Sequence, residues 1–428
     1  MKIFKDAARK RCEVIRKTEE ASVEQVEQTV REIIENVREG GDKAVLDYTE
    51  KFDAFKPPKL KVAPEAVRMA YSAVEPKTVE NLQFAASRIQ DFARRQRETV
   101  KELRCEISAG VTLGHRLIPV GSCGCYVPAG RYPLPSSALM SIIPAKTAGV
   151  GRIAAASPAS KGFDGIHPAV LVAMDMAGAD EIYCMGGAQA IAAFAYGTPS
   201  IPPVDLIAGP GNRYVTEAKR QVSGAVGIDM LAGPSEVVII ADESADPVWI
   251  AADALSCCEH DPNSWAVLLL RSEKLARDVA REIEEALKSL ETAELAGKAW
   301  SDNGRIIIVD SLDEAVRLSD ETAPEHLQVM TENSSEVAAK LRNFGSLFVG
   351  CWAPVPFGDY VSGSNHILPT AGCARFSNGV NVHTFLKIST FQEITPEGSK
   401  FLSPRCAYLA GVEGLHGHRR SAELRGLP

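Results

Sequence analysis

Two short segments combine side chains that could bind a metal ion or transfer a proton. In Ser256-Cys-Cys-Glu-His-Asp261, Cys257 and His260 are three residues apart. At a helix end they would face the same way, a spacing that can chelate zinc, although a single such pair is more often part of the packing. In Thr322-Ala-Pro-Glu-His-Leu327, Glu325 and His326 are adjacent, which would place two groups able to transfer protons near pH 7 on one turn.

A glycine-rich loop further along the chain carries a third set of such groups. The segment 358–370 contains Asp359, Asn365 and His366. Loops of this kind often hold site residues, and a plain solvated loop is the alternative. Carboxylate, imidazole and thiol or amide groups at separate points of a chain are together what a catalytic zinc site requires. The three segments therefore predict one metal-assisted site more strongly together than any of them does alone.

Glycine-rich turns beside predicted strands could bind an anionic cofactor. Gly209-Pro-Gly-Asn-Arg-Tyr214 follows a strand-like run and precedes a helical pattern, so its backbone amides could meet an anion. An ordinary strand-to-helix turn is about as consistent with it, and Ala232-Gly-Pro-Ser-Glu236 is equally ambiguous. The nearest match to GxGxxG, at 149–154, precedes an apolar run instead of following a strand, so we interpret it as a helix C-cap.

The elements that must position these groups follow an alternating pattern. From Val150 onward, short apolar runs alternate with helical patterns, which indicates βαβ units and parallel sheets. Ser272–Leu290 repeats an apolar residue every four positions, and Ser22–Gly41 begins with a capping box and ends at two glycines. Seven runs are predicted as strands: Ile153–Ala156, Glu181–Met185, Asp205–Ala208, Val237–Ala241, Trp265–Leu270, Arg305–Val309 and Ser346–Val349.

Length favours two open α/β sheets over one. The 428 residues amount to about three domains at roughly 150 residues each. A (β/α)8 barrel is the competing architecture, but the strands show no even eightfold spacing and no internal repeat. The last segment, from Asn381 to Pro428, changes character. It has a strand-like start, then Pro396 and Pro404, then a short helix rich in His and Arg, so it is predicted to be a tail module.

Composition excludes several classes of protein. The 47 basic and 55 acidic residues give a net charge of -8, without a long Lys/Arg run, so we expect no nucleic-acid partner. No apolar stretch approaches the roughly 18 residues of a membrane span, and the first residues lack the apolar region of a secretory signal. Ten scattered cysteines are typical of reduced, mostly buried thiols. These features predict a cytoplasmic protein without a membrane partner.

Taken together, the motifs resemble those of the histidinol dehydrogenase family, in that family's order and over nearly the whole chain. The resemblance rests on the following segments: Val127-Pro-Ala-Gly, Pro135-Ser-Ser-Ala-Leu-Met, Ile143-Pro-Ala-Lys-Thr-Ala-Gly-Val, Gly186-Gly-Ala-Gln-Ala-Ile-Ala, Gly209-Pro-Gly-Asn, Gly227-Ile-Asp-Met, Ala232-Gly-Pro-Ser-Glu, Ala323-Pro-Glu-His-Leu, Gly358-Asp-Tyr, Asn365-His-Ile-Leu-Pro-Thr and Glu413-Gly-Leu-His-Gly-His418.

The resemblance implies a fold, a reaction and two cofactors. The fold would be α/β, with two incomplete Rossmann-like open parallel sheets and small N- and C-terminal extension modules. Residues 1–21 would form an arm, 22–125 with 235–380 a first domain, 126–234 a second, NAD-binding domain, and 381–428 a tail that contributes to the partner subunit's site. The reaction would be the NAD- and zinc-dependent oxidation of an amino alcohol, histidinol, through its aldehyde to the acid, in a homodimer.

The resemblance also assigns roles to residues. The zinc ligands would be Cys257, His260, Asp359 and His418, the last supplied by the partner subunit. Catalysis would fall to His326, which would take the hydroxyl proton, and Glu325, which would activate water on the aldehyde. NAD contacts would fall on Tyr126, Gln189 and Asn212. Substrate contacts would fall on Ser235, His260, His326, Asp359, Glu413 and His418.

Three departures from the family pattern point to the substrate pocket. Cys257 stands where the family usually has Gln, and a thiolate ligand would reduce the Lewis acidity of zinc. Pro354-Val355-Pro356 replaces an acid that could pair with a substrate ammonium. Arg131 resembles the branch of the superfamily that oxidises sulfonated or other acidic alcohols, which is the alternative substrate class. A second alternative is a homologue that binds ligands without catalysis, although Glu325, His326, His260, Asp359 and His418 are all present.

Overall fold

Strands and helices alternate through most of the chain. The structure, a computed structural model, describes residues 3–4, 20–129 and 132–426, so Arg131 lies outside the described residues. The helices are α1 (Glu20–Asp53), α2 (Pro64–Ala73), α3 (Pro76–Thr99), α4 (Pro135–Ala148), α5 (Pro168–Ala177), α6 (Gly187–Tyr196), α7 (Arg213–Val222), α8 (Pro247–Cys258), α9 (Glu273–Ala286), α10 (Ala293–Asn303), α11 (Leu312–Thr322), α12 (Ser334–Ala338), α13 (Val355–Tyr360), α14 (Pro396–Val412) and α15 (His416–Gly426). The strands are β1 (Ile3–Phe4), β2 (Leu103–Ser108), β3 (Val111–Pro119), β4 (Ser122–Tyr126), β5 (Arg152–Ser157), β6 (Glu181–Cys184), β7 (Leu206–Ala208), β8 (Gly227–Ile228), β9 (Glu236–Ala241), β10 (Trp265–Leu270), β11 (Arg305–Ile308), β12 (His326–Met330), β13 (Ser346–Val349) and β14 (Leu386–Ile394).

The larger sheet is parallel and has six strands in the order β1-β11-β10-β9-β12-β13. Its central strand β9 is buried along its whole length. Burial on both faces explains why this strand is an unbroken apolar run instead of an alternating one. Strand order reverses between β9 and β12, so these two strands meet at the switch point of the sheet.

The second sheet is also parallel and has five strands in the order β6-β5-β4-β7-β8. Its order reverses between β4 and β7. Helices α4 and α5 pack together on one face of the sheet, and α6 and α7 pack together elsewhere in the same unit. The structure thus confirms the predicted fold class of two open parallel sheets.

A small antiparallel sheet, which the sequence did not predict, attaches the tail. Strand β14 pairs with β3 from Leu386↔Pro119 to Ile394↔Val111, and β3 pairs with β2 on its other side. The strand-like start of the tail is confirmed, but Pro404 does not interrupt the following helix α14. In the described ranges, none of the helices has the length and apolar character needed to cross a membrane.

Helices α1 to α3 cover the five-stranded sheet, which differs from the predicted grouping of 22–125 with 235–380. Helix α1 packs on α6 and α7, while α3 packs on α4 and α5. Strand β4 also crosses the predicted boundary at 125/126. Gly41, with φ 55 and ψ -138, interrupts helical geometry within α1 where the sequence predicted an end. The remainder of the domain division stays a prediction, and most of the predicted arm 1–21 lies outside the described residues.

Candidate active site

A recess opens at the amino edge of the six-stranded sheet. Strands β9, β10 and β12 begin there at Glu236, Trp265 and His326, and helix α8 returns to the same edge and ends at Cys258. The recess is partly open to solvent and includes about 370 Å³ of empty space, part of it outside the protein surface. It is lined by Ser235, Ser256, Cys257, Glu259, His260, His326, Val355, Pro356, Asp359 and Tyr360.

His326 presents an unpartnered ring nitrogen in this recess. Its Nδ1 lies 3.0 Å from the Glu236 carbonyl oxygen, which can only accept, so in the neutral ring Nδ1 carries the hydrogen and Nε2 the lone pair. Nε2 is buried without a hydrogen-bond partner and lies 3.6 Å from Asp359 Oδ1. The sequence predicted a turn at Glu325 and His326, which is wrong in detail, because His326 is the first residue of the buried strand β12.

Carboxylates on both sides of His326 control its charge. Burial alone would lower the pKa of the imidazole, but Glu325 and Asp359 together raise it well above its ordinary value. Burial alone would raise the pKa of the Asp359 carboxyl, but the neighbouring imidazole of His326 holds it below its ordinary value. The two carboxylates therefore stabilise the imidazolium that forms when Nε2 accepts a proton.

Glu236 holds both predicted catalytic residues, a function that the sequence analysis did not assign to it. Its backbone N–H donates to Glu325 Oε2 at 2.8 Å, and its carboxylate accepts from the backbone N–H groups of Glu325, at 3.3 Å, and Ala371, at 2.7 Å. Burial, followed by the charge of Glu325, raises the pKa of Glu236 to about 8. The only sequence signal was its position in Ala232-Gly-Pro-Ser-Glu236, directly before an apolar run.

The predicted metal ligands meet only in part. Cys257, His260 and Asp359 all line the recess. The Cys257 thiol is buried, donates to the Trp265 carbonyl oxygen at 3.6 Å, and has a pKa raised well above its ordinary value, chiefly by burial. His260 is exposed and lies two residues after the end of α8, directly after the C-cap Glu259. Among the residues that the structure describes, no three His, Cys, Asp or Glu side chains are grouped so that they could hold a metal ion.

The two residues predicted from the tail lie elsewhere. Glu413 caps the end of α14, His418 lies in α15, and both are exposed. Neither lines the recess of its own chain. A single chain therefore brings together Ser235, His260, His326 and Asp359 of the predicted substrate contacts, without Glu413 and His418.

The segment 359–371 connects the recess to the five-stranded sheet; it begins in the last turn of α13, so Asp359 lies in a helix and not in the predicted loop. His366 Nδ1 lies 3.1 Å from the Asp359 carbonyl oxygen, and His366 Nε2 lies 3.0 Å from Ser137 Oγ on α4. Burial lowers the pKa of His366. Asn365 Nδ2 donates to the Met140 carbonyl oxygen at 2.7 Å. Because these bonds join the segment to α4, the Asp359 side of the recess is fixed relative to the second sheet.

The three predicted NAD contacts lie at the carboxyl edge of the five-stranded sheet. Tyr126 ends β4 and its hydroxyl accepts from the Gly187 N–H at 3.2 Å. Gln189 is buried in the first turn of α6, and neither its Oε1 nor its Nε2 has a partner. Asn212 caps α7 by accepting from Tyr214 N–H at 3.0 Å and Val215 N–H at 3.2 Å. In open parallel sheets, ligands bind at this edge beside the switch point, here between β4 and β7.

A doubly wound sheet with polar groups at its switch point, joined to a recess in which a buried histidine lies between carboxylates, describes an α/β protein with two candidate ligand sites. The sequence model of the family described as histidinol dehydrogenase matches residues 16–426. A histidinol dehydrogenase of Bacillus cereus is 44% identical over 422 residues, covering 99% of this chain and 97% of the relative. A histidinol dehydrogenase homolog of Shouchella clausii is 44% identical over 400 residues, 94% of each chain.

A solved structure agrees with the sequence relatives. The crystal structure of histidinol dehydrogenase from Elizabethkingia anophelis matches with a TM-score of 0.92 and 34% identity, covering 99% of this chain and 98% of that one. The chain belongs to the histidinol dehydrogenase family, and it is therefore an oxidoreductase. The resemblance seen in the motifs is confirmed.

Proposed function

We propose that this enzyme oxidises L-histidinol through L-histidinaldehyde to L-histidine, with NAD as oxidant and zinc as metal, in histidine biosynthesis. Family membership over nearly the whole chain supports the reaction class. The single observation that carries the chemistry is the buried, unpartnered Nε2 of His326 in a recess with an acidic wall. We also propose a cytoplasmic location, on the basis of composition.

The catalytic roles follow from the hydrogen bonds of the pair. His326 Nε2 takes the hydroxyl proton of the substrate, while its Nδ1–H, held by Glu236, keeps the ring in the correct tautomer. Glu325 takes a proton from water when the aldehyde is oxidised. Bound NAD would accept the hydride of each oxidation, and bound zinc would anchor nitrogen donors of the substrate.

Tyr126, Gln189 and Asn212 are the proposed NAD contacts. The amide of Gln189 supports this assignment, because a buried amide with both polar atoms unpartnered is costly unless a ligand satisfies it. Asn212 lies at the N-terminus of α7, where backbone N–H groups favour an anion.

The zinc site is proposed to be shared between two subunits. His260 and Asp359 offer an imidazole and a carboxylate in the recess, and Cys257 offers a sulfur atom once it is deprotonated. One chain alone does not fit the ion, since its described residues hold no group of three possible ligands. His418 of the partner subunit would complete the set, and Glu413 of the partner subunit would reach the substrate.

The surface of the tail supports this dimer. Several large apolar side chains of α14 and α15 are exposed, among them Tyr408 at 73% and Val412 at 71%. Contiguous exposed apolar surface marks interaction sites in folded proteins. A homodimer in which each tail covers its partner would bury these side chains and bring α15 to the other subunit's recess.

Two variants test the catalytic assignment. His326→Asn should abolish alcohol oxidation, because it removes the imidazole that is proposed to accept the hydroxyl proton. Glu325→Gln should mainly slow the aldehyde-to-acid half, since only that step consumes water. The measurement is NADH formation with histidinol and, separately, with histidinaldehyde, on protein whose zinc content is checked. Equal loss of both halves in Glu325→Gln would show that Glu325 does not act on water alone.

A second candidate is a family member that oxidises a sulfonated or other acidic alcohol. Val355 and Pro356 favour it, because they give the recess an apolar wall on the side where an acid could hold a substrate ammonium. A screen of NADH formation over amino and sulfonate alcohols distinguishes the two substrates. No NAD reduction with any alcohol, despite bound zinc, would instead favour a binding homologue without catalysis.

A further inference from the structure

A buried ion pair lies directly beneath the Gly209–Asn212 turn, outside the set of proposed NAD contacts. The side chain of Lys219, on α7, is 2% exposed and that of Asp229, just after β8, is fully buried. Lys219 Nζ donates to Asp229 Oδ1 and also to the Gly209 carbonyl oxygen at 3.0 Å. Asp229 Oδ2 accepts from the Gly209 N–H at 2.8 Å. Both polar groups of the Gly209 backbone are therefore bound by this pair.

Only glycine fits at position 209. Its φ is +122°, and a Cβ atom at this position would lie 2.0 Å from the Tyr126 carbonyl oxygen. Three residues later, Asn212 caps α7, the helix that carries Lys219. The turn, the helix and the ion pair thus form a closed ring of contacts that fixes where the Asn212 cap and the amides before α7 lie.

The same pair continues toward the catalytic recess. Asp229 Oδ1 also accepts from the Met230 N–H at 2.6 Å, and Thr216 Oγ1, on α7, donates to the Ala232 carbonyl oxygen at 2.5 Å. The segment fixed in this way leads within three residues to Ser235, which lines the recess. Lys219 therefore contacts the proposed NAD turn directly and reaches the wall of the recess only through this segment.

We propose that Lys219 and Asp229 are positioning residues for NAD: they hold the Gly209–Asn212 turn in the conformation that binds the dinucleotide. The inference rests on the NAD site proposed above. Buried ion pairs contribute little net stability compared with apolar replacements, so stability alone does not account for a lysine and an aspartate here. A need for fixed geometry at a cofactor-binding turn does account for them, because small displacements of binding groups are costly for catalysis.

The test compares Lys219→Met with Gln221→Met in the full-length dimer. Gln221 lies on the same helix and donates to the Glu27 carbonyl oxygen at 2.9 Å and to Glu217 at 2.7 Å, so its loss loosens α7 without touching the turn. We expect Lys219→Met to raise the KM for NAD by about 10- to 100-fold with the KM for histidinol within about twofold. Gln221→Met should leave both KM values unchanged. Equal KM values for NAD in the two variants would overturn the proposal.

Hydrogen exchange provides a readout that does not depend on activity. In the ligand-free wild type, the Gly209 and Met230 amides should exchange slowly, and Asp229→Asn should speed exchange at both and at Gly211, whereas Gln221→Met should not. Fast exchange of the Gly209 amide in the wild type would show that the Lys219–Asp229 pair does not hold the turn. This measurement decides the question even if Lys219→Met does not fold. A wild type that neither binds nor reduces NAD would refute the proposed function instead. Comparison of amide exchange in the wild type, Asp229→Asn and Gln221→Met would still decide whether the pair positions the turn.

Discussion

Asp253, behind the recess, is predicted to destabilise the folded enzyme as the pH rises from about 4 to about 6. It lies on α8, one turn before Cys257, and its side chain is 8% exposed. Burial raises the pKa of Asp253 from 3.8 to about 6, although a hydrogen bond from Gln328 Nε2 at 2.8 Å opposes the shift. Gln328 Oε1 is buried without a partner. Substitution by Asn would remove the charge and provide an N–H donor for that oxygen.

The sign and size of the effect follow from linkage. The folded pKa is higher than the unfolded one, so the native state binds more protons between about pH 4 and 6, and stability falls as pH rises through that window. A shift of about 2 pKa units corresponds to about 3 kcal/mol of unfolding free energy at pH 8. Asp253→Asn should therefore be more stable than wild type by about 3 kcal/mol at pH 8, by about half of that at pH 5, and by little below pH 4.

The assay is urea unfolding of both proteins at pH 5 and pH 8, with Asp246→Asn as a matched control. Asp246 is the exposed N-cap of the same helix and accepts from the Val248 N–H at 2.9 Å, a role that Asn fills equally well. The control loses the same formal charge and should show no gain that depends on pH. A stability gain in Asp253→Asn that is equal at both pH values would refute the burial argument, because it would show that the carboxylate is not the destabilising group.

Three further substitutions test the walls of the recess. Glu236→Gln should lower kcat in both half-reactions without loss of zinc. The two oxygens of Glu236 accept from the Glu325 and Ala371 N–H groups, and an amide has only one oxygen that can accept. An unchanged kcat would show that Glu236 does not position the catalytic pair. Cys257→Gln should retain zinc and raise histidinol turnover by removing a negative ligand, as seen in metal content and kcat/KM. Val355→Glu should favour cationic over anionic alcohols by about 1 to 3 kcal/mol, as the ratio of kcat/KM values for histidinol and a sulfonate alcohol. Efficient histidinol turnover by the wild type, impaired by both the Cys257 and the Val355 change, would refute the idea that these two residues adapt the pocket to a substrate other than histidinol.

Much of the framework could be predicted because apolar runs are a local signal. All seven predicted strands are present within one or two residues, and the predicted helix at Ser272 begins with that residue as its N-cap. Strand β4 was missed because glycine and cysteine dilute its apolar character, although Cys123 and Cys125 are fully buried. Strand β12 was missed because Pro324, Glu325 and His326 look like a turn. The packing of α1 to α3 could not be predicted, since it depends on which sheet their apolar faces meet.

The candidate site shows a more general reason for what the sequence left out. In parallel sheets, binding residues usually follow the strands, at the carboxyl edge. The Gly209 turn obeys this rule at the five-stranded sheet, where a strand followed by glycine was a usable signal. Tyr126 obeys it too, but it ends the missed strand β4 and was assigned only through the family resemblance. Glu236 and His326 are instead the first residues of β9 and β12, at the amino edge of the other sheet.

A site that uses opposite edges of two sheets needs covalent and hydrogen-bonded links between them. The segment 229–236 provides one link, from the Asp229 ion pair to Ser235, and the segment 359–371 provides the other, from Asp359 to Ser137. The backbone N–H of Gly233 donates to Thr370 Oγ1, so the two links also bind each other. Because the links carry groups from both proposed sites, a displacement in either should reach cofactor and substrate together. Variants at these links should therefore change the KM values of both ligands, whereas variants of Lys219 should act first on NAD.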